Sequence, residues 1–304
     1  MIKKEAVIII SLLLIIPLVS AGFFDFIKNP ITGKATSQPT NISVGVVGTN
    51  PVQITQVGPI AAVNPTELST TTIAFEIHMY DPDGVADIND TSVNATFTKS
   101  GETSKTTGNS GTCTFVADLD SYTANYSCSI DMWYFDGSGS WTISAQGKDV
   151  GNSTWIVNNS ATFTYNELKA MVISPGALTF PSVSPGGINQ TSNNDPTLIN
   201  NTGNYNGTID VTAIDLYGES DSSYWIYAEN FTSGLTEGTA ICLSGTSLVN
   251  ATATEITSSI SNRGNLSSGS GAGQEEIYYC IPKVPEIVSQ TYSTEGGGSW
   301  TIAY

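Results

Sequence analysis

Apolar and polar residues alternate one by one in short runs along most of this chain. In residues 72–80, Ile73, Phe75, Ile77 and Met79 fall on one side while Glu76 and His78 fall on the other. A period of two is what a half-buried strand produces. Residues 92–98, 140–145 and 161–165 repeat it, and a second set begins near Met171 with 177–180, 208–214, 224–227, 276–279 and 299–304. Gly, Asn, Asp and Ser separate the runs. No convincing amphipathic helix follows the first 21 residues, and 166–171 is at most one turn. Regularly spaced short strands between turn residues predict an all-β chain of β-sandwiches.

The first residues break this pattern. Lys3 and Lys4 precede an uncharged apolar run from Ala6 to Val19, and Val19-Ser20-Ala21 ends it with small residues. These are the parts of a secretory signal peptide, expected to be cleaved before Gly22. An uncleaved anchor is the alternative, but Asp25 and Lys28 interrupt the continuation short of the roughly 20 apolar residues of a span. Residues 22–40, broken by Pro30, Gly33 and Pro39, read as a tether. The remainder divides economically into residues 41–167 and 168–304. Gly-Ser-Trp-Thr-Ile occurs in both halves, at 139–143 and 298–302, and a cysteine precedes it each time, Cys128 and Cys280.

Composition narrows the function. Ten basic residues against 27 acidic ones give a formal charge of −17 over 304 residues, which repels a phosphate backbone and speaks against nucleic acid as a partner. Only 12% of residues are charged; the polarity comes from 36 Ser, 38 Thr and 23 Asn. One histidine, His78, leaves almost no room for His-based triads or His-rich metal centres. The four cysteines form two local pairs, Cys113 with Cys128 and Cys242 with Cys280. In an exported chain they read as two disulfides, although four cysteines allow three connectivities. Asn-x-Ser/Thr sequons stand at Asn41, Asn89, Asn94, Asn125, Asn152, Asn158, Asn189, Asn200, Asn206, Asn230, Asn250 and Asn265, about double the chance rate, and mark N-glycosylation as an expectation.

Some of these residues resemble known modules. Asp-Pro-Asp-Gly-Val-Ala-Asp-Ile at 81–88, ahead of a strand, resembles the early inter-strand loop of immunoglobulin-like modules in archaeal and bacterial surface proteins. Gly-Lys-Asp-Val-Gly-Asn at 147–152 is similar to their late hairpin. The stretch 175–186 followed by Asn201-Thr-Gly-Asn204 resembles another such module. With Asn-Pro-Ile-Thr-Gly-Lys-Ala at 29–35, the layout resembles secreted cell-surface proteins of small-genome, DPANN-like archaea. The resemblance implies two tandem immunoglobulin-like β-sandwiches at a cell envelope and says little about activity.

Candidate chemistry is sparse. Asp81, Asp83, Asp87 and Asp90 set oxygen ligands two to four residues apart around Gly84, with Asp149 expected at the same end, a spacing that suits Ca2+. The EF-hand pattern is not met, and an Asp-Pro-Asp-Gly turn bonding its own backbone is the competing reading. Asp118 with Asp120, or Glu275 with Glu276, are the carboxylate pairs a glycosidase would need, and solvated loop is the plainer reading of both. Trp133-Tyr-Phe135 and Tyr224-Trp-Ile-Tyr227 could stack on sugars, against a sandwich core filled by Trp. The expectation is a non-catalytic, glycosylated extracellular protein that self-associates as an envelope or filament subunit. An adhesin-like module for carbohydrate or another cell is the alternative. The expected partners are copies of itself, other surface proteins or glycans, with membrane contact only through an uncleaved N-terminus.

Overall fold

In the computed structural model the first half forms β1 (Gln53–Val57), β2 (Thr70–Tyr80), β3 (Asn94–Thr98), β4 (Lys105–Thr106), β5 (Thr114–Asp118), β6 (Thr123–Trp133), β7 (Gly139–Gly147) and β8 (Ile156–Tyr165), of which β2, β3, β7 and β8 are the four alternating runs picked out above. They form two four-stranded antiparallel sheets, ordered β1-β2-β6-β5 and β4-β3-β7-β8. The structure describes residues 42–43, 50–107, 112–264, 266 and 273–304. The expected leader 1–21, the tether 22–40, and Asn41 and Asn265 lie outside these residues.

β2 and β6 pair without a slip over eleven residues, from Thr70 opposite Trp133 to Tyr80 opposite Thr123. A one-residue slip would turn every apolar side chain outward, so burial itself fixes this register. Ile73, Phe75, Ile77 and Met79 of β2 join Tyr126, Cys128, Ile130 and Met132 of β6 in one cluster with Phe97, Trp141, Ile143 and Phe163 of the other sheet. Trp141 is fully buried, and its indole N–H donates to the Gly137 carbonyl at 2.9 Å, which removes the cost of hiding a donor. Each such side chain contributes about 1.5–3 kcal/mol by leaving water.

The second half is cut into shorter pieces: β9 (Met171–Ser174), β10 (Ile188–Thr191), β11 (Thr197–Asn201), β12 (Gly207–Thr212), β13 (Leu216–Gly218), β14 (Trp225–Ile226), β15 (Thr232–Gly234), β16 (Thr246–Ser247), β17 (Ala253–Ser261), β18 (Gln274–Lys283), β19 (Tyr292–Ser293) and β20 (Thr301–Ala303). β18 is the hub of a six-stranded sheet, paired with β10, β11 and β15. β17-β12-β20 and β14-β13-β19 form two three-stranded antiparallel sheets. A separate cluster including Ile199, Ile209, Val211, Phe231, Ile256 and Ile277 fills the interior. One short α-helix, α1 (Ile241–Ser244), is present among the described residues, and no helix there is long and apolar enough to cross a membrane.

Two strands expected from alternation differ. Residues 177–180 form no strand. Leu178 and Phe180 still pack on the second core, but Thr179 is held mainly by side chains: its N–H donates to Asn194 Oδ1 at 2.9 Å, and its carbonyl accepts from Ser192 Oγ at 2.9 Å beside the Asn193 N–H at 3.0 Å. Side-chain partners here replace a ladder that Pro175 and Pro181 would interrupt. In residues 224–227 the strand is only Trp225–Ile226, and a 3₁₀ turn follows at Ala228–Asn230.

Both disulfides form as paired in the sequence, Cys113–Cys128 and Cys242–Cys280. The first ties the crossing from β4 to β5 onto β6, and the second ties α1 to β18. Closing 15 and 38 residues, they stabilise by about 3 and 4 kcal/mol on the chain-entropy estimate.

Residues 49–304 are one compact unit, and the seam between its two cores is polar. Arg263 donates from Nη1 to Glu102 Oε2 at 3.1 Å and from Nη2 to Glu102 Oε1 at 2.5 Å, and Nη1 also donates to the Phe135 carbonyl at 2.9 Å. Buried Asn204 uses Nδ2 to donate to the carbonyls of Asp136 and Asn166, at 3.1 and 3.0 Å. Thr202 Oγ1 donates to Glu67 Oε1 at 2.5 Å.

Candidate functional site

The acidic loop is built where β2 ends. Asp81 Oδ1 accepts the N–H of Asp83 at 2.8 Å, and the Asp81 carbonyl accepts the N–H of Gly84 at 3.1 Å, which folds the chain back on itself. Gly84 has φ +113°, a conformation that L side chains rarely adopt, so glycine is needed for this reversal. A 3₁₀ turn at Val85–Asp87 follows, and Ile88 bridges Asp149 just beyond β7. The Asp87 carbonyl accepts the N–H of Val150 at 2.7 Å and fixes the two segments side by side.

This folding brings one carboxylate oxygen each from Asp81, Asp83 and Asp87 within 4.8 Å of one another. Asp83 is held by Asn50, whose N–H donates to Oδ2 at 2.5 Å and whose Nδ2 donates to Oδ1 at 3.1 Å. Asp149 is buried, with Oδ1 accepting the Val52 N–H at 2.9 Å. Burial pushes the Asp81 carboxyl above the usual carboxylate range, and the charges of Asp149, Asp87 and Asp83 push it the same way. Asp90, the fifth residue of the expected set, points elsewhere and accepts the Tyr126 hydroxyl at 2.6 Å. That bond and burial both raise the tyrosine's pKa.

Asp120 Oδ1 caps its own turn, accepting the N–H groups of Tyr122 and Thr123 at 2.7 and 2.8 Å, which holds its carboxyl below the usual range. Glu275 and Glu276 are neighbours on β18, so their side chains leave opposite faces. Glu276 Oε2 accepts the Tyr278 hydroxyl at 2.9 Å. His78 lies on the polar face of β2, 3.9 Å from Glu76.

Of the sequon asparagines described, Asn206 and Asn250 are exposed. Asn89, Asn94, Asn152, Asn158, Asn189, Asn200 and Asn230 are half-buried, and Asn125 is buried on β6. The amide groups of Asn94, Asn158 and Asn250 donate to Ser92, Ile54 and Asp215 respectively.

A scan against protein-family models finds no match, and a search of curated proteins finds none. The chain's own geometry therefore carries the functional reading.

Two surfaces matter to it. Trp133 and Trp225, for which a stacking surface and a place in the core were both open from sequence, are each 42% exposed. Trp133 stacks on Phe135, ring centres 5.8 Å apart at 14°, while Trp225 sits edge-on between Tyr217 and Tyr227. A groove lined by Tyr217, Gly218, Glu219, Gly296 and Gly297 runs beside the second group. The other surface is β5. It lies at the end of its sheet with all five residues exposed, among them Phe115 and Val116.

Proposed function

We propose that this chain is a non-catalytic, N-glycosylated structural protein displayed outside the cell, a self-associating subunit of an envelope layer or filament built on two immunoglobulin-like sandwiches. The observation that carries this reading is β5. An edge strand with unpaired backbone groups and outward Phe115 and Val116 is a template for strand addition by a second chain, and nothing within this chain covers it among the described residues. Two disulfide-closed cores joined through a polar seam give such a subunit a firm body, and the disulfides fit an oxidising destination. Light scattering over a concentration series tests it on protein starting at Gly22. The expected result is growth of large, regular species that Val116→Lys suppresses. A monomer at every concentration overturns it. Deleting residues 22–40 in parallel tells whether the tether takes part.

The exposed aromatic group at Trp225 favours a second reading, a carbohydrate-binding module, because aromatic faces beside a groove suit sugar rings. Binding on a glycan array that Trp225→Ala abolishes, with the fold kept, would favour it.

A further inference from the structure

Asp81 presents an unusual combination. Its side chain is fully buried, Oδ1 is committed to the Asp83 amide, and Oδ2 has no hydrogen-bond partner at all. A buried carboxylate oxygen without a donor is costly unless something positive reaches it. Asp83 and Asp87 each bring an oxygen within 4.8 Å, and the buried Asp149 adds a fourth carboxylate near enough to bear on Asp81. Among the described residues the Asp87 carboxylate is given no hydrogen-bond donor, and no lysine or arginine pairs with any of these four acids. One proton on Asp81 would relieve a single charge and leave the other three in place. A divalent cation relieves the whole group.

We propose that Asp81, Asp83, Asp87 and Asp149 form a Ca2+ site at this end of the first core. Calcium takes six to eight oxygens at flexible geometry, so carboxylates arriving from a turn and from a neighbouring hairpin suit it, with water completing the shell. Magnesium's strict octahedron suits it less. The positions are set in advance: Asn50 holds Asp83, the Val52 amide holds Asp149, and the Asp83 amide holds Asp81. Bound calcium would tie the end of β2 to the segment after β7 and to the chain entering β1.

The test is a calcium titration of chelator-treated protein by calorimetry, with melting followed alongside in calcium, magnesium and EDTA. The expected result is saturable binding near one equivalent, a midpoint raised by several degrees in calcium and by less in magnesium. Asp83→Asn, at an exposed position, and Asp87→Asn, at a half-buried one, should fold normally and weaken binding at least tenfold. Asp131→Asn, an exposed acid on β6, should leave it unchanged. No heat and no midpoint shift in the unaltered protein would overturn the site. So would calcium binding that survives Asp81→Asn, Asp83→Asn and Asp87→Asn alike.

Discussion

Asp136 and Asp81 are both carboxylates taken out of water, and the protein treats them in opposite ways. Asp136, 3% exposed, faces the Lys105 ammonium at 2.7 Å and accepts the Trp133 N–H at 2.7 Å. Beside it in the seam, Glu102 is matched by Arg263. Asp81 has only one amide of its own turn and three acids for company. The seam carries its neutralising cations within the chain, whereas the loop leaves that part open to something from outside. Burial alone does not mark a functional acid; the separating feature is whether the fold supplies the counter-charge.

Removing the cation from the balanced region should have the largest effect. Lys105→Met leaves Asp136 buried beside an apolar chain and should cost about 3 kcal/mol in urea unfolding. A loss below about 1 kcal/mol would make the two regions more alike than the geometry says. Arg263→Ala removes a pair that is partly open to water, and should cost about 2 kcal/mol by the same measurement. At the loop the sign reverses. Asp81→Asn, measured in EDTA, should stabilise by about 1 kcal/mol, because a neutral amide is cheaper to bury among carboxylates.

The smallest effect is a slope with pH. Burial raises the carboxyl pKa values of Asp136 and Asp195, so the folded protein holds these protons longer than the unfolded chain. Their contribution to stability is complete below about pH 4 and is lost as pH rises through the raised values. Asp120 and Asp221, both lowered, act in the other direction and only below that range. In EDTA the melting midpoint should therefore decline above about pH 4, and Asp136→Asn should make the decline shallower.

In the first half β2, β3, β7 and β8 were legible from alternation, while β6, as long as β2 and also buried on one face, was not picked out. In β2 the alternation of Ile73, Phe75, Ile77 and Met79 against Glu76 and His78 survives directly as inward and outward. The cysteine pairs were legible from their even number and their spacing in a chain expected to be exported. The loop's carboxylates were legible as a group, but their division was not: Asp90 turns to Tyr126, a residue 36 positions away. In the second half, Leu178 and Phe180 are held against the core by an irregular segment, so alternation there mimics a strand without being one. Period two also tells which residues share a face but not whether that face is covered, which is why alternation left Trp133 and Trp225 open between core and surface. Arg263 stood in a glycine- and serine-rich stretch that reads as loop. Its partner Glu102 is 161 residues away, a distance at which sequence pattern carries no signal.

The disulfide between α1 and β18 decides what a protease could do to this chain. Arg263 lies inside the loop closed by Cys242 and Cys280. A cut after it therefore severs the backbone without separating the parts. The nicked molecule would run as one band on a non-reducing gel and as two, residues up to 263 and residues from 264 onward, once thiols are added. Between Cys113 and Cys128 the same holds over a shorter stretch. In both segments, damage to the backbone and loss of the fragment are separate events, and the second waits for a reductant.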